Sequence, residues 1–281
     1  MTTKRACVIG WPVSHSRSPL IHGYWFKRYR IEGEYGREAV RPEDAPSFLA
    51  SLFQRGYVGC NVTLPHKETA FKVVRIADRH TERLSVVNTV FVKNTILWGT
   101  STDGEGFLAN LEAAAPSWSI KDKRVVLLGA GGAARAIVGA LVEKQVSEIV
   151  LINRSRQRAE DLARHFGGPI RLAAWSEAAQ ELSKADLLAN TTSLGMTGQP
   201  PLDIDLAALP SSALVTDNVY TPLETPHIRS ARARGNLVAP GLGMLLHQAV
   251  RGFELWFGVR PEVTPELYDL VAADIEAGGK R

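Results

Sequence analysis

Short apolar, β-branched runs alternate along the chain with stretches of helical periodicity. The runs cover residues 6–9, 57–62, 124–128, 148–152, 187–189, 214–216 and 236–238. Alternation of this kind predicts a parallel α/β architecture. Several helix starts are legible: Ser18-Pro19, Thr225-Pro226 and Thr264-Pro265 each set a hydroxyl before a proline at the first helical position. Pro65 opens a further helical stretch over 66–77. Gly56, Gly167 and Gly235 stand just past predicted helices 42–55, 157–166 and 226–234. The polar segment 113–123, which contains Pro116, predicts a domain boundary, and a second is expected near Pro240-Gly241. Two helices, about 243–257 and 265–276, close the chain with no strand after them. Periodicity leaves open whether they cap the second domain or cross back onto the first.

Composition narrows the class. A length of 281 residues suggests two domains, and 45% hydrophobic with 22% charged residues excludes a disordered or fibrous chain. No apolar run approaches the length that spans a membrane, and the apolar stretch near the N-terminus is too short for a signal peptide. Cys7 and Cys60 are too few for a disulfide framework, and no Cys/His cluster has zinc spacing. The expectation is a cytoplasmic protein without structural metal and without a membrane or nucleic-acid partner. The net charge is only +4, and the densest basic run, Arg154-Ser-Arg-Gln-Arg158, suits a small anion.

The clearest motif follows the run 124–128. Gly129-Ala130-Gly131-Gly132-Ala133-Ala134 fits G-x-G-x-x-A between a strand and a helix. Gly129 permits the tight turn, Gly131 lets a pyrophosphate approach the backbone, and Ala134 allows close helix packing. The helix start adds free N–H groups and the positive end of its dipole. After the next run come Asn153, Arg154 and Ser155, where an NAD site usually carries a carboxylate. Arg154, with Arg158 one turn on, can instead bind a 2′-phosphate, so the expected cofactor is NADP.

Polar groups also gather where strands of the N-terminal half end: Ser14–Ser18 as one loop, then Asn61 to Lys67, Asn88, and Thr102-Asp103. Such neutral donors and acceptors suit a polyhydroxylated ligand. Each also has a plainer reading. Ser18 can be a helix cap, Asn88 a turn residue and Asp103 the cap of a helix over 104–115, while Lys67 can be solvated. Lys67 and Asp103 stand out as one cation and one anion, a pairing able to move and orient a proton.

Taken together, these motifs resemble the shikimate dehydrogenases, NADP-dependent reductases of 3-dehydroshikimate in aromatic biosynthesis. The resemblance is carried by Gly10-Trp-Pro-Val-Ser-His-Ser-Arg-Ser-Pro19, Asn61-Val-Thr-Leu-Pro-His-Lys-Glu68, Val87-Asn-Thr89, Thr102-Asp-Gly104 and Gly129-Ala-Gly-Gly-Ala-Ala-Arg135. It continues through Asn153-Arg-Ser155, Asn190-Thr-Thr-Ser193, Asp217-Asn-Val-Tyr-Thr-Pro222 and Gly241-Leu-Gly-Met-Leu-Leu-His-Gln248. It implies a two-domain α/β fold. The N-terminal α/β substrate domain would take 1–105 and 239–281, and an NADP-binding Rossmann domain 106–238, the C-terminal helices returning to the first.

The implied activity is reversible NADPH-dependent reduction of 3-dehydroshikimate to shikimate, on the route to chorismate. Lys67 and Asp103 would be the catalytic pair and also touch substrate. Ser16 and Ser18 would hold its carboxylate, with Tyr220 approaching that region, and Asn61, Thr63, Asn88 and Gln248 would bind ring hydroxyls. The cofactor would meet Gly129, Ala130, Gly131, Gly132, Ala133, Asn153, Arg154, Ser155, Arg158, Thr192, Ser193, Val219 and Gly241. Family members occur as monomers and homodimers. Three positions depart from the common pattern: Ser85-Val86 for Gly-Ala, Ser101 for Asn, and Pro240 for Asp, Asn or Gly. Rival readings are an NAD-linked quinate/shikimate dehydrogenase and a non-catalytic sensor of the same metabolites. A sensor would not need Lys67 and Asp103 together.

Overall fold

A computed structural model describes residues 3–278. The chain divides into two compact units. The first runs to Asp103 and resumes over Gln248–Val271; the second covers Gly104–His247 and takes up the chain again from Ala272.

The first unit holds strands β1 (Lys4–Gly10), β2 (Gly33–Ala39), β3 (Tyr57–Val62), β4 (Arg75–Ile76), β5 (Thr89–Lys93) and β6 (Ile96–Thr100) in the order β2-β1-β3-β5-β6-β4. This sheet is mixed, where the alternation of runs and helices predicts parallel strands. β1 runs parallel to β2 and β3, but β5 is antiparallel to both β3 and β6. The antiparallel pair is a hairpin turned by Asn94 and Thr95, both at positive φ. That is the backbone of a two-residue hairpin loop, here without the glycine that usually announces it. The consequence for chemistry is direct. Thr89 pairs with Asn61 on one side and Thr100 on the other, so the end of β3, the start of β5 and the end of β6 converge.

Helices α1 (Ser18–Tyr29), α2 (Ala45–Ala50), α3 (Lys67–Val73) and α4 (Arg79–Leu84) complete this part of the chain. Two predicted helices are shorter than expected. The stretch 42–55 is helical only over α2 before breaking into turns, and 66–77 stops at Val73 because Val74 is extended and leads into β4. One sheet face packs Ile9, Leu49, Leu52, Cys60 and Val90. Beside α1 the rings of Trp25, His22, Tyr35, Phe253 and Trp256 pack together, His22 stacked on Tyr35 and Phe253 and the other contacts edge-on or tilted.

The second unit holds β7 (Arg124–Leu128), β8 (Glu148–Ile152), β9 (Ile170–Ala173), β10 (Leu187–Asn190), β11 (Leu214–Asp217) and β12 (Leu237–Ala239). All pair in parallel, in the order β12-β11-β10-β7-β8-β9. Numbered from β7 as the first, this is 3-2-1-4-5-6, the doubly wound arrangement with a switch point between β7 and β10. Around it lie α5 (Asp103–Ala114), α6 (Gly132–Glu143), α7 (Arg156–Phe166), α8 (Ala178–Leu182) and α9 (Pro226–Ala233). The unit begins at α5 rather than in the 113–123 loop. A Cβ on Gly104 would lie 2.9 Å from that of Ala140, so α5 seats against α6. The tail comprises α10 (Gly241–Phe257) and α11 (Pro265–Gly278), and the return to the first unit starts at Gln248. There the Trp256 indole donates to the Val90 carbonyl (2.9 Å), and Gly59 leaves the room the indole needs.

Candidate active site

In the first unit the polar side chains meet where the strand ends converge. Lys67, the first residue of α3, places Nζ 2.5 Å from Asp103 Oδ2, although 36 residues separate them along the chain. Both side chains are mostly buried, at 18% and 10% exposure, so this ion pair is set among protein groups rather than in bulk water. The other carboxylate oxygen accepts from Asn88 Nδ2 (2.8 Å). Asn88 is itself clamped, its Oδ1 accepting from the Thr102 backbone N–H (2.9 Å). Gln248, from α10, brings its Oε1 to 3.5 Å from Asn88 Nδ2, and its carbonyl accepts from Thr102 Oγ1 (2.8 Å). Asp103 is itself the first residue of α5, one position inside the helix that its plainer reading has it cap, and both its oxygens are engaged by side chains.

Ser16 and Ser18 lie together after β1. Ser16 Oγ donates toward Ser18 Oγ (3.2 Å) and accepts the Ser18 N–H (3.3 Å). Ser18 is the first helical residue, behind Arg17 at the N-cap, and no side chain caps α1. Proline therefore comes second in this helix, which leaves the Ser18 side chain outside the capping role predicted for it. The caps predicted at Thr225 and Thr264 do form, to the N–H groups of Ile228 and Leu267. Arg37 donates twice to the Ser16 carbonyl (2.9 and 2.6 Å) and so braces this loop. Thr63 presses its methyl group toward Gly10, where a Cβ would stand 2.5 Å away.

The second unit builds a different kind of site, from backbone. Gly129 has φ +109°, and a Cβ there would lie 2.6 Å from Thr191 Oγ1. Gly131 and Gly132 have nothing within 4 Å of a Cβ, so their open side is free for a ligand. Gly131 is the N-cap of α6, and the N–H groups of the first turn have no partner inside the helix. Ala134 is fully buried against the sheet, as close packing requires. At the end of β8, Asn153 Nδ2 donates to the Ser155 carbonyl (2.7 Å), and Ser155 caps α7 at Arg158 N. Arg156 and Arg164 are paired with Glu160 and Asp161. Among the described residues Arg154 and Arg158 have no carboxylate partner, leaving two exposed guanidinium groups for an anion. The arrangement can seat a pyrophosphate at the glycine turn and a further phosphate at the arginines.

On the neighbouring strand ends, Thr192 N and Oγ1 both bond Asn190 Oδ1 (3.0 and 2.7 Å), while Ser193 is exposed. Buried Asn190 donates to Asp217 Oδ1 (2.9 Å), which also accepts the Val219 N–H (2.9 Å); Thr225 donates to Asp217 Oδ2 (2.8 Å). Burial raises the Asp217 pKa, opposed by those three donors. Gly241 must lack a side chain, because its Cβ would stand 2.6 Å from the Val219 carbonyl. Pro240 keeps the preceding turn tied, its carbonyl accepting from Asn110 Nδ2 (3.0 Å). Tyr220 is half-buried in the 217–222 loop of this unit. Sequence reasoning missed Tyr35, whose hydroxyl donates to Asn61 Oδ1 (2.6 Å), and the bridging roles of Thr89 and Asn190. A polar residue ending an apolar run was the available signal for Asn190; Tyr35 gave none.

Three family descriptions match: shikimate dehydrogenase substrate binding domain over 8–90, shikimate / quinate 5-dehydrogenase over 110–196, and shikimate 5′-dehydrogenase C-terminal domain over 241–265. The NADP(+) shikimate dehydrogenase of Methylocella silvestris is 54% identical over 272 residues, covering 97% of each chain. That of Nitrobacter winogradskyi is 53% identical over 274 residues, covering 98% of each. Among solved structures, shikimate dehydrogenase from Thermus thermophilus in complex with NADP(H) and shikimate is similar with a TM-score of 0.85 and 34% identity. That match covers 97% of this chain and 100% of the other. Quinate dehydrogenase from Corynebacterium glutamicum in complex with NAD gives 0.88 at 26% identity, over 96% and 99%. On this similarity, which extends over nearly all of its length, the chain belongs to the shikimate dehydrogenase family.

Proposed function

We propose that the chain catalyses the reversible NADPH-dependent reduction of 3-dehydroshikimate to shikimate in chorismate biosynthesis, with Lys67 and Asp103 as its catalytic pair. The observation that carries this reading is the buried 2.5 Å ion pair, oriented from behind by Asn88. NADPH, when bound, supplies the hydride. Lys67 Nζ donates a proton to the ketone oxygen as it becomes an alkoxide, and in the reverse direction takes the hydroxyl proton. Asp103 holds the lysine ammonium and a neighbouring ring hydroxyl. Ser16 and Ser18 take the substrate carboxylate through neutral hydroxyls, assisted by Tyr220. Asn61, Thr63, Asn88 and Gln248 take ring hydroxyls.

The 129–133 turn would hold the cofactor's pyrophosphate, and Arg154 and Arg158, with Asn153 and Ser155 beside them, would hold its 2′-phosphate. Thr192, Ser193, Val219 and Gly241 line the nicotinamide side. The open face of Gly131 and the unpaired Arg154 and Arg158 support this assignment. On this reading residues 1–105 and 239–281 serve the substrate and 106–238 the cofactor. The protein works in the cytoplasm as a monomer or homodimer, with no nucleic-acid partner. Its two buried, free thiols suit a reducing compartment. No helix among the described residues is long and apolar enough to cross a membrane.

The test is absorbance at 340 nm with shikimate or quinate crossed against NADP or NAD. Turnover is expected to be fastest with shikimate and NADP. A protein that turns over quinate with NAD and leaves shikimate and NADP untouched is a different enzyme of the same fold.

A further inference from the structure

Behind the Lys67–Asp103 pair runs a series of buried hydrogen bonds whose direction can be worked out from groups with no choice. The Asn88 carbonyl can only accept, and Asn61 Nδ2 lies 3.3 Å from it. The amide end of Asn61 therefore faces that carbonyl, and its Oδ1 faces Tyr35. Tyr35 must then be the donor in their 2.6 Å bond. Burial pushes the Tyr35 phenol well above its ordinary pKa, so the proton is retained. Asn61 Nδ2 also points to Thr89 Oγ1 (3.3 Å), which leaves the single Thr89 proton for Asn88 Oδ1 (3.0 Å). The Asn88 amide is fixed independently. The Thr102 N–H can only donate to its Oδ1, and Asp103 Oδ1 can only accept from its Nδ2. The Thr102 hydroxyl proton is used at the Gln248 carbonyl, so it does not compete. Every bond thus points one way, from Tyr35 through Asn61, Thr89 and Asn88 to Asp103, which Lys67 meets from the other side.

From this geometry we infer that Tyr35 and Thr89 are positioning residues for the reaction: their hydroxyls complete the hydrogen bonding of the Asn61 and Asn88 side-chain amides and hold them in the orientation those fixed partners require. This inference rests on the reading of the cluster as the substrate and proton-transfer site. Neither residue belongs to the set expected to touch substrate. Thr89 is fully buried, and the Tyr35 ring is stacked on His22 at 3.9 Å, so both are held by the fold and not by a ligand. Both Asn61 protons are spent within the protein, which leaves this side chain acceptor capacity only. A bound ring hydroxyl must therefore donate to it. Without the Thr89 hydroxyl, Asn61 Nδ2 loses an acceptor and Asn88 Oδ1 a donor. Buried amides left short of partners reorient, and Asp103 loses the clamp on Oδ1.

The series is testable with substitutions that remove one oxygen each. Thr89→Val keeps shape and deletes the hydroxyl, and Thr89→Ser restores it. We expect kcat/KM for shikimate at saturating NADP to fall about tenfold or more in Thr89→Val, with kcat reduced as well as KM raised. Thr89→Ser returns to within about threefold of the parent, while KM for NADP stays unchanged in both. Tyr35→Phe, which acts only on Asn61, raises KM for shikimate with little change in kcat. The double variant is barely worse than Thr89→Val alone, because both act through one amide. Parental kcat/KM in Thr89→Val, equal damage in Thr89→Ser, or additive losses in the double variant each overturn the inference. Should Thr89→Val not fold, Tyr35→Phe carries the test, and a parental KM for shikimate in that variant overturns it.

A second readout is independent of turnover. In the ligand-free parent the Asn61 and Asn88 side-chain amide protons should exchange slowly with water by NMR, and Thr89→Val should speed the exchange at Asn61. If the parent ignores shikimate but the exchange changes as stated, the substrate reading fails and the hydrogen-bond series stands. If shikimate is turned over and exchange is indifferent to Thr89, the series fails and the substrate reading stands.

Discussion

The two units place their chemistry at the same kind of location, the ends of strands, yet build it from opposite materials. In the second unit the glycine turn after β7 presents backbone N–H groups, and at Gly131 and Gly132 no side chain covers them. This unit's cluster of paired charges lies at the other end of the sheet, and Asp217, the carboxylate buried at the strand ends, is spent on structural donors. Arg124 at the start of β7 pairs with Glu148 (2.6 Å) and with Glu181, and Arg171 joins the same two carboxylates (3.0 and 2.5 Å). In the first unit the charges stand at the site itself, where Lys67 and Asp103 meet through side chains from α3 and the start of α5. A backbone cradle needs only small residues and a helix start, and it binds whatever phosphate fits. A side-chain cluster needs each amide and hydroxyl turned correctly, which explains the buried hydrogen-bond series behind it. On the proposed reading, one unit is organised to bind and the other to react.

That contrast is broken most directly at Lys67. Lys67→Ala should lower kcat by about 10²–10⁴-fold while the dissociation constant for NADP stays at the parental value. Near-normal kcat removes Lys67 from the chemistry, and lost NADP binding shows that the two tasks are not divided between the units. Arg154→Ala reverses the pattern. A charge-assisted bond of about 1.5–3 kcal/mol predicts NADP binding weaker by roughly 10- to 150-fold, with NAD nearly unaffected. Equal loss for both dinucleotides contradicts the 2′-phosphate assignment. Gly131→Ala is milder still. Its φ of −93° and ψ of −167° suit any residue and its Cβ meets nothing, so the thermal midpoint should be unchanged. NADP should nonetheless bind about tenfold more weakly, since the methyl group stands where the phosphate approaches. Unchanged affinity would remove the glycine turn from the cofactor site.

The same contrast decides which parts of the molecule are legible in its sequence. The runs at β3, β7 and β8 coincide with the strands residue for residue, because strands buried on both faces read as mainly apolar runs, broken here only by Asn61 and by Arg124 and Glu148 at the strand starts. The glycine turn is legible for a related reason: backbone recognition forces glycine, and glycine is visible. β2 is hidden, being an edge strand whose sequence Gly-Glu-Tyr-Gly-Arg-Glu-Ala reads as polar loop. The β5–β6 hairpin is hidden because Asn94 and Thr95 take positive φ without a glycine to mark it. The quoted motifs draw Lys67, Asp103, Asn88 and Gln248 to attention, and the structure brings these four together. Tyr35 lies outside every motif and Thr89 inside one without a role, since tyrosine and threonine are ordinary strand residues. What they hold is visible in the folded side chains, Tyr35 bonded to Asn61 and Thr89 to Asn61 and Asn88.

The smallest effect concerns His22, which lies in the first unit and outside the proposed catalytic set. Its imidazole is fully buried among Trp25, Tyr35, Phe253 and Trp256, near the Asn61 amide, and neither ring nitrogen has a hydrogen-bond partner. Burial lowers its pKa to about 3, opposed by Asn61. The folded protein therefore keeps it neutral at pH values where the unfolded chain, near 6.5, takes up a proton. Stability from this group is complete above about pH 6.5 and declines as pH falls toward 3, by about 1.4 kcal/mol per pH unit once the unfolded chain is protonated. His227 in the second unit is lowered to about 4 by burial and has the same sign, so the parent's decline is shared between the units. His22→Phe keeps a stacked ring and deletes the titration. Melting followed by circular dichroism at pH 7, 6, 5 and 4.5 should give a shallower fall for the variant than for the parent, the two differing least at pH 7. Its kinetics at pH 7 should stay close to parental, because the Tyr35 hydroxyl, and not the ring beneath it, orients Asn61. Parallel curves for variant and parent show that His22 is protonated in the fold. A raised KM for shikimate without a change in the pH slope assigns the ring to the positioning series instead.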